Sequence, residues 1–299
     1  MRAMRTSSRS SERTRFGRAT FAPASGSAPA LRGHEFRRLR ALVYESCGIR
    51  LRAGKEELVR ARLGRRLAAT GARSFGAYLD RVVADAERGA PGELSALVDA
   101  LTTNQTAFFR EPAHFEYLRT VLLPVLARGT RPVRVWSAGC ASGEEAYSLA
   151  MVLREELPAA RLADARILAT DISARSVDLA RAGTYAPRAL AAVPPALRRR
   201  YFARPTGEGP ERAVVRPELR ALVRVARLNL IGEWPMQGPF DAIFCRNVMI
   251  YFDAAVRQRL VERFARLLAP GGHLFVGHAE SLGALTHPLR YVQPAVYLR

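Results

Sequence analysis

The chain has 299 residues, 48% of them hydrophobic, enough to bury a sizeable core and to make two domains the expected organisation. No apolar run reaches the roughly 20 residues of a membrane helix, and Met1 to Ala30 hold no continuous apolar stretch, so membrane insertion and secretion are excluded as expectations. Its formal charge of +20 is almost all arginine, and the 3 cysteines and 5 histidines are widely scattered, which speaks for a reducing cytoplasm and against disulfides or a metal centre.

Residues 1–33 are rich in Arg, Ser, Ala, Pro and Gly without apolar periodicity and read as a disordered basic arm. From His34 the pattern turns helical, and 34–102 reads as a small all-α domain. Phe36, Leu39, Leu42 and Val43 mark one helix, Val59, Leu63 and Leu67 a second. Phe75, Tyr78, Leu79, Val82 and Val83 mark a third, and Leu94, Leu97, Val98 and Leu101 a fourth. On the second helix Lys55, Arg62, Arg65 and Arg66 fall on the side opposite its apolar face, a basic ridge suited to an acidic partner. The ridge carries no interleaved aromatics for base stacking, which argues against nucleic acid. Residues 103–131 follow as a polar linker, within Thr102 to Glu111, and a helix opened by Pro112.

The remainder, 132–299, alternates strands with helices and predicts an α/β sheet. Val133, Val135 and Trp136 form a buried strand, Gly139 and Gly143 bracket a turn, and a helix Ala146 to Glu156 has Glu144 and Glu145 at its start. The glycines let backbone come close to a ligand, and the second strand, Ile167 to Ala169, closes on Asp171, where a βαβ unit places the acid that receives ribose hydroxyls. The dinucleotide spacing is absent, and two glutamates at the helix start would repel a pyrophosphate. A cationic nucleoside, S-adenosylmethionine, fits better. Ser173 caps a short helix ending at Gly183. Residues 184–227 carry PP, PTGEGP and RP punctuation and read as a small antiparallel β insert, with the parallel sheet resuming over Val223 to Ala226. Further strands are expected over Phe240 to Cys245, after a Pro-Gly-Gly turn at His273 to Val276, and over Val292 to Leu298, with a helix Ala254 to Leu268 between the first two.

Four segments in this order, LTTNQTAFFRE, VWSAGCASGEEAYSLA, ATDIS and GPFDAIFCRNVMIYFD followed by GHAESL, resemble the chemoreceptor glutamate methyltransferases (CheR) of bacterial chemotaxis over about 34–299. The resemblance implies a class I S-adenosylmethionine-dependent methyltransferase sheet of Rossmann-like form, a β insert and a preceding all-α domain. Asn104, Thr106, Arg110, Glu145, Asp171, Asn229, Leu230, Arg246 and Asn247 would contact S-adenosylmethionine, Tyr251 would lie beside the transferred methyl, and Arg110 would pair either the methionine carboxylate or the incoming substrate glutamate. Arg62, Arg65 and Arg66 would face the acidic helices of a chemoreceptor's cytoplasmic domain, and the β insert is a docking site for a receptor C-terminal peptide in some members. The substrate would be a glutamate side chain, the product its methyl ester. An RNA or small-molecule methyltransferase on the same sheet, and a non-catalytic cofactor-binding module, are the competing readings.

Overall fold

Apolar residues at helical spacing close four helices around one small core: α1 (Gly33–Cys47), α2 (Glu56–Thr70), α3 (Phe75–Glu87) and α4 (Gly92–Leu101). Leu39, Val43, Leu63, Leu67, Phe75, Tyr78, Val82 and Leu97 are its buried centre. The buried Glu35 carboxylate ties the first helix to the third by accepting from Arg32 N at 2.8 Å and from Gly76 N at 2.7 Å. The computed structural model describes residues 29–90, 92–204 and 211–299, so most of the expected arm, 1–28, lies outside the described residues. Its last residues belong to the bundle: Leu31 packs on the helical core and α1 starts at Gly33.

The linking helix comes in three parts, α5 (Pro112–Tyr117), a π-turn over Leu118–Leu122 and α6 (Leu123–Arg128). Pro124 explains the π-turn, because its ring has no N–H and crowds the carbonyl four residues back. Phe115, Leu118 and Leu122 of this helix are buried in the core on one face of the main sheet.

The chain then runs β1 (Arg134–Ala138), α7 (Glu144–Glu156), α8 (Ala159–Ala163), β2 (Arg166–Asp171) and α9 (Ala174–Ala182). Next come β3 (Thr184–Tyr185), α10 (Pro195–Tyr201), β4 (Phe202–Ala203), β5 (Ala213–Val215), α11 (Pro217–Arg220) and β6 (Val223–Arg227). Last are β7 (Phe240–Cys245), α12 (Ala254–Leu267), β8 (Leu268–Val276), β9 (Arg290–Gln293) and β10 (Val296–Leu298). Seven strands make one sheet in the order β6-β2-β1-β7-β8-β10-β9, parallel from β6 to β8 and antiparallel at β10 and β9.

Side chains alternate across this sheet. Val135, Ala242, Phe244 and Phe275 enter one core, whereas Trp136, Ile243, Cys245, Leu274 and Val276 enter the other, beneath Val256, Leu260 and Phe264 of α12. Both faces are covered, the arrangement that a parallel sheet requires. The order reverses between β1 and β7, and a crevice is expected there at the carboxyl ends of the strands.

Two local expectations change. The antiparallel insert is the small sheet β3-β5-β4 and ends at Val215, not Arg227, because Val223 to Arg227 pair parallel with β2 as the edge of the main sheet, Ile167 opposite Val223. Pro270 to Gly272 do not turn the chain into a strand: they lie inside β8, which starts at Leu268 and takes up the irregularity as a shift in register against β7. The final segment is a hairpin of two strands, with Ala295 at φ 63° between them.

Helical domain and sheet meet through specific bonds. Arg50 N donates to Tyr251 O at 2.9 Å, Tyr44 Oη to Asp253 Oδ2 at 2.6 Å, and Asn229 Nδ2 to Ser46 O at 2.7 Å. On the side of the sheet, all three fall on the segments that follow β6 and β7, next to the crevice.

Candidate functional site

Where β1, β2, β6 and β7 end, a cleft opens to solvent. Gly139 and Ala141 follow β1, Asp171 and Ile172 follow β2, Leu228 to Leu230 follow β6, and Arg246 to Val248 follow β7. Leu101 to Thr106 with Cys47 and Ile49 bound it on the side of the helical domain. Asn104, Thr106, Arg110, Glu145, Asp171, Asn229, Leu230, Arg246, Asn247 and Tyr251 all line this one space, although they come from five separate stretches of chain.

Asp171 ends its strand with both carboxylate oxygens facing backbone donors, Ala141 N on Oδ2 and Ser173 N on Oδ1, each at 2.9 Å. Burial pushes its carboxyl up from the ordinary value, and the Ser173 and Ala141 N–H groups oppose that. Each oxygen keeps a second lone pair for a ligand hydroxyl. Glu145 is held as firmly, its Oε1 accepting from Ser137 Oγ at 2.7 Å and its Oε2 from Arg246 Nη1 at 2.9 Å. Burial raises this carboxyl as well, against the pull of Arg246. Of the pair at the start of α7, only Glu145 reaches the cleft; Glu144 is buried and accepts from Ser142 Oγ at 2.7 Å.

The turn works differently from the sequence expectation. Gly139 has φ 93°, and a β-carbon there would run into Val248; Gly143 has φ 97°, and a β-carbon there would meet Ala180 at 2.9 Å. Protein atoms, not a ligand, occupy those spaces. The N–H groups of Gly139 and Cys140 both donate to Thr170 O, at 2.7 and 2.9 Å. The glycines shape the turn, and the Glu145 and Asp171 side chains line the cleft.

Arg246 is the least expected member. Its side chain is only 2% exposed and lies between two carboxylates, 2.9 Å from Glu145 and 3.0 Å from Glu111, with Nη2 also donating to Arg110 O. Its charge is therefore committed within the protein. Arg110, by contrast, is exposed at the cleft; Nη1 donates to Gln105 O at 3.0 Å, and among the described residues no carboxylate pairs with its guanidinium. Asn104 Nδ2 donates to Ser176 Oγ at 2.8 Å, and Asn229 joins the two domains. Tyr251 is half-buried in the cleft wall.

Two glutamates were given no role by the sequence. Glu111 is one; Glu280 is the other, 1% exposed, accepting from Asn247 N at 2.6 Å, Gly277 N at 2.7 Å and Ile250 N at 3.1 Å. It braces the loop that carries Asn247, Val248 and Tyr251. Its segment, GHAESL, was recognisable, but only the fold shows what the carboxylate holds.

The basic ridge is only partly free. Arg66 is paired with Glu93 at 2.5 Å, and Tyr78 Oη donates to the same carboxylate at 2.8 Å. Arg62 donates to Leu101 O at 2.6 Å and Thr103 Oγ1 at 2.9 Å. Both arginines therefore hold α4 and the linker, and Arg65 is the exposed one of the three. None of the three lines the cleft.

Glu111, His114 and His278 bring three metal-ligand side chains within 4.8 Å of one another, but Arg246 already neutralises the Glu111 carboxylate, and no metal is assigned there. His114 is fully buried with neither ring nitrogen hydrogen-bonded among the described residues, and burial, with Arg246 nearby, depresses its pKa to about 4. The unfolded chain binds that proton first on acidification, so folding stability is expected to fall between about pH 6.5 and 4, by about 3 kcal/mol in all. Urea unfolding across that range should show the loss, and His114→Phe should flatten it.

Comparison with known proteins agrees with this geometry. Residues 34–102 match the family model described as CheR methyltransferase, all-alpha domain, and residues 104–298 match CheR methyltransferase, SAM binding domain. The chain is 42% identical to Chemotaxis protein methyltransferase 2 of Pseudomonas aeruginosa, covering 88% of this chain and 92% of that protein. It is 41% identical to Chemotaxis protein methyltransferase of Klebsiella aerogenes over 93% and 96% of the two chains, and 42% identical to that of Escherichia coli K12 over 86% and 87%. With both of its domains matched and the carboxylate-lined cleft at their junction, the chain belongs to the CheR methyltransferase family and is an S-adenosylmethionine-dependent methyltransferase.

Proposed function

We propose that the chain methylates glutamate side chains on the cytoplasmic domain of a chemoreceptor, forming methyl esters in chemotactic adaptation. The observation that carries this reading is an exposed Arg110 guanidinium, with no carboxylate partner among the described residues, beside a cleft whose acids, the buried Asp171 and the partly buried Glu145, suit a cationic nucleoside. The relatives' names, chemotaxis protein methyltransferases, support it.

When bound, S-adenosylmethionine supplies an electrophilic methyl group on a positively charged sulfur. Asp171 would accept from the ribose hydroxyls, and Glu145 would face the cationic amino-acid end. Asn104, Thr106, Asn229, Leu230 and Asn247 would complete the enclosure, and Arg246 would act by fixing Glu145. A substrate glutamate is ionised at pH 7, with an ordinary pKa of about 4.3, and needs no base to become a nucleophile. The chain's task is then placement and exclusion of water. Arg110 and Tyr251 would hold the incoming carboxylate in line with the methyl, and well-held reactants gain roughly 7 to 11 kcal/mol over free encounter. Cys47, at the cleft wall, is pushed by burial to a pKa of about 11 and stays a neutral thiol.

Incubating the protein with radiolabelled cofactor and the cytoplasmic domain of a receptor from the same cell tests the reading directly. Label on glutamate that mild alkali releases as methanol is the expected result. Alkali-stable label, or transfer to RNA in place of receptor, would overturn it.

Arg65, with Lys55 on the same ridge, is left to meet an acidic receptor helix, while the insert, with Arg198, Arg199 and Arg212 around a groove, would serve a receptor's C-terminal peptide. Arg65→Glu is expected to raise KM for receptor about three- to tenfold at low salt, less at high salt, with no change in Tm. Arg66→Ala should instead lower stability by about 1 to 2 kcal/mol, because it strips the cation from Glu93, whose side chain is 11% exposed. Steady-state kinetics and urea unfolding of the two variants separate the roles.

A further inference from the structure

The turn that presents Arg110 is held in an uncommon backbone conformation. Phe109 has φ 52° and Glu111 φ 57°, left-handed values that residues with side chains adopt rarely and keep only where their surroundings enforce them. On one side Phe109 N donates to Ser148 Oγ at 2.9 Å. On the other, Arg246 Nη2 reaches both the Arg110 carbonyl oxygen and, at 3.0 Å, Glu111 Oε2. A single carboxylate, Glu145, would suffice to neutralise Arg246. The second carboxylate belongs to the very turn that carries Arg110.

Resting on the proposed glutamate methylation, we infer that Glu111 is a positioning residue. Together with Glu145 it clamps the Arg246 guanidinium so that this group anchors the Arg110 backbone and aims the Arg110 side chain at the incoming carboxylate. Burial would raise the Glu111 carboxyl, yet Arg246 holds it below its usual value, so Glu111 is ionised throughout the neutral range. The pairing also explains why a buried arginine lines a cleft meant for a cation: its charge is already cancelled on both sides. Losing Glu111 releases the turn on one side while Glu145 keeps Arg246 in place.

The test is a double-mutant cycle with receptor as substrate, using wild type, Glu111→Gln, Arg110→Ala and the double variant. Glu111→Gln is expected to lower kcat about 10- to 100-fold, the scale of an ångström of misplacement at a reacting group. In the Arg110→Ala background the same substitution should cost less than about threefold, because its effect passes through Arg110. Cofactor affinity by calorimetry should change by less than about threefold, since Asp171 and Glu145 remain. Additive losses, or a loss of cofactor affinity as large as the loss of kcat, would overturn the inference.

Amide hydrogen exchange gives a reading independent of turnover. Faster exchange at Phe109 to Glu111 in Glu111→Gln, with β1 and β2 unchanged, is expected; unchanged exchange there overturns the inference even if methyl transfer falls. Failure of the wild type to modify receptor glutamate would instead count against the proposed function and leave the exchange result to judge the clamp.

Discussion

Asp171→Ala is expected to weaken binding of S-adenosylmethionine by about 30- to 150-fold, the equivalent of about 2 to 3 kcal/mol for hydrogen bonds to a charged group. The carboxylate is 8% exposed and already oriented by the Ala141 and Ser173 N–H groups, so little ordering remains to be done when a ligand hydroxyl arrives. Alanine also leaves those two N–H groups without a partner in the turn that borders the cleft. Asp171→Asn keeps one acceptor and should fall between wild type and alanine. Titration calorimetry of the three proteins decides the matter, and equal affinity for wild type and Asp171→Ala would remove the ribose role.

The second large effect is expected at Glu145. Glu145→Gln takes one of two carboxylates from a guanidinium whose side chain is 2% exposed, and breaking a buried pair leaves an uncompensated charge. Glu111 stays as a partner, so the expected loss is about 2 to 3 kcal/mol, or roughly 5 to 10 °C in Tm for a domain of this size. Cofactor affinity should drop with it by about tenfold, one charge-assisted contact to the ammonium end. In the wild type both cleft acids have raised pKa values through burial, and only their ionised forms suit a cation. Cofactor affinity should therefore decline on acidification at a higher pH than ordinary carboxylates would give. Glu145→Gln keeps only the part of that decline due to Asp171. Differential scanning calorimetry and binding titrations from pH 7 downward measure both consequences, and an unchanged Tm would contradict the clamp around Arg246.

The sheet was legible because its strands carry their own signal. Val133 to Ala138, Arg166 to Asp171 and Phe240 to Cys245 are short apolar runs between turn residues, and each appears as a strand within a residue or two of expectation. Ser173 and Gly183 marked the ends of their helix for equally local reasons, a side-chain cap and a left-handed closing residue. The register of Leu268 to Val276 was harder. Proline and two glycines look like a turn to any local rule, but the neighbouring strand and Arg299, whose carbonyl accepts from Gly271 N at 3.2 Å, hold the segment within β8.

Sequence alone determined the layers of this protein and the candidate acids of its cleft, because periodicity, capping and the position of Asp171 after a strand depend on residues close along the chain. Only the tertiary structure decided how charge is shared: that Arg246 is spent on Glu111 and Glu145, that Arg66 belongs to Glu93, and that Arg110 has no carboxylate partner among the described residues. The reason is physical. An ion pair in a protein core is set by distances between residues far apart in sequence, and whether an arginine serves the fold or a ligand depends on which carboxylate packing has already placed beside it.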